Sequence, residues 1–198
     1  MKFNIAKGYT NSTLPKKKLE FNKLDMLKYI TELNTELANL DKKVELLIYG
    51  GASICLAYEF RESTRDIDAI FDNDEYFIKA CNIVSVKYNL EDRWLNNSIL
   101  KCLLDITKEE FIDYLTLSNL HVQVVSPRYL LALKVKASRV GEAFHDYSDA
   151  LALCKLLSIN TKDGLLKLCS GFYLTKLLQY NQLKFIDRIV GDLNANIT

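Results

Sequence analysis

Two aspartates one residue apart, Asp66 and Asp68, are the residues of this chain best suited to bind a metal ion. Residues two apart on a β-strand project from the same face, so the segment DIDAIF, as a strand, places both carboxylates side by side. Carboxylates this close repel each other unless a cation lies between them. The pair therefore predicts a site for Mg²⁺ (or Mn²⁺), which prefers oxygen ligands. The alternatives are a solvated strand edge, or neutralisation of the pair by Arg61 and Arg65.

Two adjacent glycines, Gly50 and Gly51, follow the short apolar run Val44–Tyr49 and precede the aspartates. Glycine permits a positive φ and lets a ligand approach the bare backbone. A helix that begins after the glycines offers unpaired N–H groups to a phosphate, and Ser53 adds a hydroxyl in the first turn. The segment predicts a phosphate-binding turn, and a purely structural turn is the alternative.

The glycine turn and the aspartate pair belong to one strand–turn–helix–strand unit. This unit can bring bound phosphates next to a bound metal ion. Phosphoryl and nucleotidyl transfer depend mainly on such positioning and on electrostatic stabilisation by the metal. We therefore expect Gly50, Gly51 and Ser53 to hold a triphosphate and Asp66 and Asp68 to hold its metal ion.

The surrounding sequence predicts a mixed α/β (α+β) fold with a small sheet flanked by helices. Apolar residues at helical spacing predict a helix from Leu19 to Leu40, and short apolar runs predict three strands, at Val44–Tyr49, DIDAIF and LHVQVVS. EYFIKACNIVSVKY and the segment after Pro127 have helical patterns, and TKEEFIDYLTL is interpreted as a further short helix. Two or three helices are expected after Asp146, in a C-terminal helical portion.

Composition excludes several classes of protein. The 198 residues carry 26 Lys and Arg against 25 Asp and Glu, so the net charge of +1 provides no general attraction to nucleic acid or membrane. No apolar run approaches the ~20 residues that span a bilayer. Five cysteines without a CxxC pair, together with two histidines, argue against a disulfide framework or a zinc site. These features predict a cytoplasmic protein with reduced thiols and no membrane partner.

The stretch GGASICLAYEFRESTRDIDAIF resembles the Gly-Gly and Asp-x-Asp signature of the DNA polymerase beta-like nucleotidyltransferase superfamily. The closer resemblance is to its small bacterial branch, which includes the nucleotidyltransferase toxins of AbiE-type abortive-infection systems. RWLNN resembles a Trp-Leu-Asn element of that branch. VVSPRYLLALKVKASR and HDYSDALAL resemble its Pro-x-x-Leu-Leu-Ala-x-Lys and Arg-Asp-x-x-Asp helices. The likeness covers roughly residues 44–157.

This resemblance implies transfer of an NMP group from an NTP to an RNA (tRNA) or protein acceptor, with a separately encoded antitoxin as a possible partner. The composition and the order of elements predict a flexible arm (1–18), a nucleotidyltransferase-like domain (19–140) and the C-terminal helical portion (141–198). The resemblance assigns catalytic roles to Lys134, Asp146 and Asp149, and we count Arg65 among the nucleotide-binding residues. A catalytically degenerate binding module of the same fold is the alternative.

One departure concerns the third metal-binding carboxylate of the superfamily. We expect its strand to be NLHVQVVS, which carries His121 and Gln123 but no Asp or Glu. Asp146 or Asp149 is therefore expected near the aspartate pair as a substitute. The alternatives without a catalytic role are an N-cap position for Asp146 and a solvated helix face for Lys134. Trp94 is interpreted as a core residue.

Overall fold

The computed structural model describes residues 20–72, 74–97, 107–138 and 145–195. The arm predicted for residues 1–18 and the domain boundary predicted at residue 140 lie outside the described residues. The domain division thus stays a prediction.

Seven strands and seven α-helices occur in the described residues. The strands are β1 (Phe21–Asn22), β2 (Val44–Ile48), β3 (Ser63–Thr64), β4 (Ile67–Ile70), β5 (Leu95–Asn96), β6 (Phe111–Thr116) and β7 (Leu120–Val125). The helices are α1 (Lys23–Asn39), α2 (Gly50–Ser53), α3 (Glu75–Tyr88), α4 (Pro127–Ala137), α5 (Asp146–Leu156), α6 (Lys162–Ser170) and α7 (Tyr180–Ala195). A π-helical turn, Ile54–Tyr58, continues α2 directly.

Five strands form one mixed sheet in the order β5-β4-β2-β7-β6, and β1 pairs with β3 in a separate two-stranded ribbon. β2 is antiparallel to β4 and parallel to β7. β4 is parallel to β5, and β6 is antiparallel to β7. The predicted α/β fold with a small mixed sheet and flanking helices is confirmed.

Side-chain alternation orients the strand that carries the aspartates. Ile67 and Ala69 of β4 are fully buried, whereas Asp68 of β4 and Asp66, the residue just before this strand, are partly exposed. Because successive strand residues point to opposite faces, the apolar residues face the core and the carboxylates share the other face. The sheet therefore presents the aspartate pair as the sequence predicts.

The interpretation of TKEEFIDYLTL as a helix is wrong. Only Lys108–Glu110 is helical, as a 3₁₀ turn, and the rest is strand β6. A two-residue turn at Ser118 and Asn119 folds β6 back onto β7, with Leu117 N donating to Leu120 O at 2.9 Å. Pairing with β7 satisfies the backbone of a segment rich in aromatic and β-branched residues, which outweighs its weak helical pattern.

The buried hydrophobic residues form two clusters. One lies between the sheet and helices α1 and α3, and it includes Trp94, confirming that residue as core. The other is built by α4, α5, α6 and α7, and it includes Tyr49, Ile54 and Val125. The turn that joins β2 to α2 therefore lies where the sheet meets the C-terminal helices.

The cysteines of the described residues are free thiols at Cys55, Cys81, Cys154 and Cys169. Burial raises the pKa of Cys81 and of Cys154 to about 12, and it also raises the pKa of Cys55 and Cys169. Because the thiolate is the nucleophile, these cysteines are poorly suited to catalysis. Within the described ranges, no helix is both long enough and apolar enough to cross a membrane.

Candidate functional site

The glycine turn lies directly beside the aspartate strand. Gly50 has φ of +67°, a backbone conformation that other residues rarely adopt. A Cβ added at Gly50 would lie 3.1 Å from Asp68 Oδ2. Tyr49 N donates to Asp68 O at 3.0 Å, which ties the turn to β4. The structure thus brings the predicted phosphate-binding turn and the predicted metal-binding carboxylate into contact range.

Asn96 completes this side of the site. It lies opposite Asp68 in the β4–β5 register, and its Nδ2 donates to Asp66 Oδ2 at 3.3 Å. Asn96 belongs to the segment RWLNN, whose resemblance to a Trp-Leu-Asn element predicts no role for this residue. The segment RWLNN could have identified Asn96 as a site residue. In this segment a short polar strand end follows a buried tryptophan, and such a strand lies at the edge of the sheet.

The strand on which the third carboxylate of the superfamily would be expected, β7, does not lie next to the aspartate pair. β7 does not border β4, because β2 lies between them. His121 Nε2 and Gln123 Nε2 instead contact Asp113 Oδ1 on β6, at 2.9 and 2.7 Å. The strand that borders the aspartate pair on its other side is β5, and the polar residue there is an amide.

Arg61 and Thr64 cover the second glycine. A Cβ added at Gly51 would lie 2.8 Å from Arg61 Nη1 and 2.8 Å from Thr64 Oγ1. Arg61 Nε donates to Ser63 O at 2.6 Å. Ser53 is fully buried, and its Oγ donates to Gly50 O at 2.9 Å. A cation and a hydroxyl therefore lie over the turn, while the Ser53 hydroxyl closes it from within.

Lys134 lies between two aspartates of the next helix. Its Nζ is 2.7 Å from Asp146 Oδ1 and 2.7 Å from Asp149 Oδ2. Asp149 is 3% exposed and Lys134 is 9% exposed, so Lys134 does not lie on a solvated face. The N-cap of α5 is His145, so the N-cap alternative for Asp146 is wrong. Local sequence could not show this pairing, which depends on how α4 packs against α5.

Arg61 connects this ionic cluster to the turn. Arg61 Nη1 lies 3.8 Å from Asp149 Oδ2 while it covers Gly51. Lys134 and Arg61 balance the charges of Asp146 and Asp149, as buried ionic groups require. The structure therefore places Asp149 beside the glycine turn, with a guanidinium between them.

Arg65 has a different environment. Its side chain is 66% exposed, and its Nε lies 4.0 Å from Glu20 Oε1, itself 61% exposed. An exposed pair of this kind contributes little to stability and is easily broken. Its assignment to nucleotide binding stays a prediction.

The donor set fits a single hard divalent cation. Two carboxylates on one strand face are the usual protein contribution to Mg²⁺, whose remaining ligands come from substrate phosphates and water. No group of three or more His, Cys, Asp or Glu suited to a metal occurs in the part of the chain that the structure describes. Any metal ion at this site would thus depend on Asp66 and Asp68 and on the bound substrate.

A mixed sheet with this aspartate pair beside a glycine turn is consistent with a nucleotidyltransferase-like fold. Over residues 25–165 the chain matches the family described as nucleotidyltransferase of unknown function (DUF6036), and it belongs to that family. Searches of curated proteins and of solved structures give no significant match. The closer likeness to the AbiE-type branch stays a prediction.

Proposed function

We propose that this protein is a metal-dependent nucleotidyltransferase that moves an NMP group from an NTP to a hydroxyl group of an acceptor. The observation that carries the proposal is the contact between the turn and the strand, where Asp68 Oδ2 lies 3.1 Å from the position of a Cβ at Gly50. A metal ion bound by Asp68 would lie close to phosphates bound at the turn. The family to which the chain belongs supports the same class of reaction.

Residues of the turn and of the neighbouring strands β4 and β5 have proposed roles. Asp66 and Asp68 hold Mg²⁺ (or Mn²⁺), with Asn96 fixing the orientation of the Asp66 carboxylate. The metal ion, when bound, neutralises charge that develops on the phosphates. Gly50 and Gly51 have no side chain of their own, and their backbone is proposed to bind phosphate oxygens beside Asp68 and Arg61. Ser53 stabilises the turn because its hydroxyl donates a hydrogen bond to Gly50 O. This role is compatible with the burial of Ser53.

Lys134, Asp146 and Asp149 are proposed to act in catalysis from the helical side. A base on the acceptor hydroxyl must reach it directly or through one water molecule. Asp146, whose side chain is 23% exposed, is the better placed of the two aspartates to meet an acceptor, since Asp149 is buried. Lys134 balances both carboxylates, so its release toward a phosphate would have to accompany a rearrangement of the pair.

The acceptor and the biological role follow from the family resemblance. We propose an RNA (tRNA) or protein acceptor, a toxin function in abortive infection, a cytoplasmic location and an antitoxin as partner. The balanced charge of 26 basic and 25 acidic residues favours neither acceptor. What supports the proposal is the set of matching segments around the aspartates and the α4 and α5 helices.

A second candidate is a nucleotide-binding or partner-binding module of the same fold without turnover. Two observations favour it. The residue beside the aspartate pair on β5 is Asn96, and an amide cannot accept a proton as a carboxylate does. Asp146 and Asp149 are both engaged by Lys134.

One experiment separates the two candidates. The protein is incubated with each α-labelled NTP, Mg²⁺ or Mn²⁺, and either total cellular RNA or a protein lysate. Transfer of label with release of pyrophosphate, lost in Asp68→Ala, is the result expected of a nucleotidyltransferase. Binding of NTP without any release of pyrophosphate would establish the binding module instead. Absence of both binding and transfer would refute the nucleotidyltransferase and the nucleotide-binding module, and it would favour a partner-binding role.

A further inference from the structure

We infer that Arg61, and not Arg65, is the side chain that binds the triphosphate at the glycine turn, and that Asp149 positions it. The inference rests on the proposed function, because it names the protein group that recognises the phosphates of the NTP. It is drawn from contacts that join residues far apart in the chain.

The guanidinium of Arg61 lies over the second glycine of the turn. Arg61 Nη1 and Thr64 Oγ1 both lie 2.8 Å from where a Cβ of Gly51 would be. On the preceding residue, the corresponding space contains the carboxylate of Asp68. A cation and a metal-binding carboxylate thus lie over adjacent glycines. A phosphate that reaches this backbone meets the guanidinium on one side and the metal ion held by Asp68 on the other.

Two neighbouring groups hold the Arg61 side chain in place. Its Nε donates to Ser63 O, which fixes the plane of the guanidinium. Its Nη1 lies 3.8 Å from Asp149 Oδ2, close enough for attraction but longer than a hydrogen bond. A guanidinium has five N–H donors, and among the described residues only the one at Nε makes a hydrogen bond. The remaining donors suit a phosphate, which arginine binds through two parallel N–H groups.

Asp149 approaches Arg61 from helix α5. Its carboxylate is 3% exposed and already pairs with Lys134 at 2.7 Å. Asp149 therefore attracts Arg61 without forming a hydrogen bond to it. The buried contact between α4 and α5 holds the Asp149 carboxylate in place. Asp149 acts through Arg61 on the phosphate in this arrangement, which makes it a positioning residue.

Arg65 provides a matched control. It carries the same charge, lies four residues further along the same segment, and is 66% exposed with Glu20 as its neighbour. Long-range attraction to a triphosphate would be nearly the same for both arginines. A difference between their variants therefore reports local contact with the ligand.

The experiment measures calorimetric affinity for an NTP and for the matching NMP in the presence of Mg²⁺. Variants Arg61→Ala, Arg61→Lys and Arg65→Ala are compared with the unmodified protein, and thermal melting checks that each is folded. Arg61→Ala should weaken NTP binding roughly tenfold or more, the factor that about 1.4 kcal/mol provides. The NMP affinity should change much less, and Arg65→Ala should weaken NTP binding far less than Arg61→Ala does.

Arg61→Lys keeps the charge next to Asp149, so it tests the inference even if Arg61→Ala does not fold. Lysine lacks the planar fork, so NTP binding should remain weakened. Asp149→Asn should also weaken NTP binding, but it should add no further loss in a protein that already carries an Arg61 variant, as a double-mutant cycle shows. If Asp149 had only a structural role, Asp149→Asn would lower the NTP affinity by the same factor with and without the Arg61 variant.

The outcomes distinguish the inference from the proposed function. If the unmodified protein binds no NTP with Mg²⁺, both are refuted. If it binds NTP and Arg61→Lys binds equally well, the inference is overturned while the proposed function stands. If Arg65→Ala loses more NTP affinity than Arg61→Ala, the inference is overturned and Arg65 is the arginine that binds the nucleotide.

Discussion

Asp68 lies against the backbone of Gly50, with its Oδ2 3.1 Å from the position that a Cβ of Gly50 would occupy. Gly50 also has a φ of +67°, which glycine adopts without strain. The absence of a side chain at this position thus serves two purposes. It permits the turn, and it leaves room for the carboxylate.

The first prediction concerns Gly50→Ala. The variant should be less stable by about 1–2 kcal/mol, the usual cost of a left-handed conformation for a residue with a Cβ. It should also displace the Asp68 carboxylate and weaken Mn²⁺ binding, measured by electron paramagnetic resonance. Gly191→Ala is the control, because a Cβ there meets nothing within 4 Å in helix α7. That variant should be slightly more stable, and equal behaviour of the two would contradict the prediction.

The second prediction concerns the aspartates themselves. Asp66→Ala or Asp68→Ala should abolish Mn²⁺ binding and metal-dependent NTP binding while the protein stays folded. Removing one of two neighbouring carboxylates relieves their repulsion, so the melting temperature without metal should not fall much. Calorimetry with and without metal checks the binding, and circular dichroism checks the fold. Full metal-dependent binding in both variants would show that the pair is not the metal site.

The third prediction concerns the strand beside the pair. Asn96→Asp would place a third carboxylate opposite Asp68 and next to Asp66. Mn²⁺ affinity should rise roughly tenfold, equivalent to about 1.4 kcal/mol, because the added charge attracts the ion. Asn181→Asp, at an exposed position of α7, is the charge-matched control and should have no effect. An unchanged affinity in Asn96→Asp would place the metal away from β5.

The fourth prediction concerns the buried ionic cluster. Lys134→Met should reduce the free energy of unfolding by about 3 kcal/mol, because it leaves Asp146 and Asp149 without their nearest cation. Lys136→Met is the control on the same helix, since the Lys136 ammonium lies over the Tyr173 ring and not in an ion pair with a carboxylate in the described residues. Urea unfolding measures both variants. A similar small loss in both would mean that the cluster contributes little to stability.

The fifth prediction concerns the thiols. Burial raises the pKa of Cys81 and Cys154 to about 12, so very little thiolate is present at pH 8. These cysteines should react slowly with iodoacetamide in the native protein and rapidly in urea. Mass spectrometry of peptides resolves the sites. Rapid native labelling of Cys154 would contradict its burial in the helical core.

Much of the site could be predicted from sequence because its signals are local. Alternation along β4 places Asp66 and Asp68 on one face, and a pair of glycines after an apolar strand marks the turn. Both depend on the backbone geometry of a few consecutive residues, which residue type largely determines. The family match over residues 25–165 supports the same interpretation, although it crosses the boundary predicted at residue 140.

Tertiary structure decided what lies next to these residues. β6 became a strand because β7 was available to pair with it, although its sequence also suits a helix. β5 rather than β7 borders the aspartates because strand order depends on how distant segments cross the sheet. The contact between Arg61 and Asp149 joins the sheet segment to α5, and no local pattern predicts it. Local sequence thus determined which residues could hold a metal ion and a phosphate, and packing between distant elements decided which charges surround them.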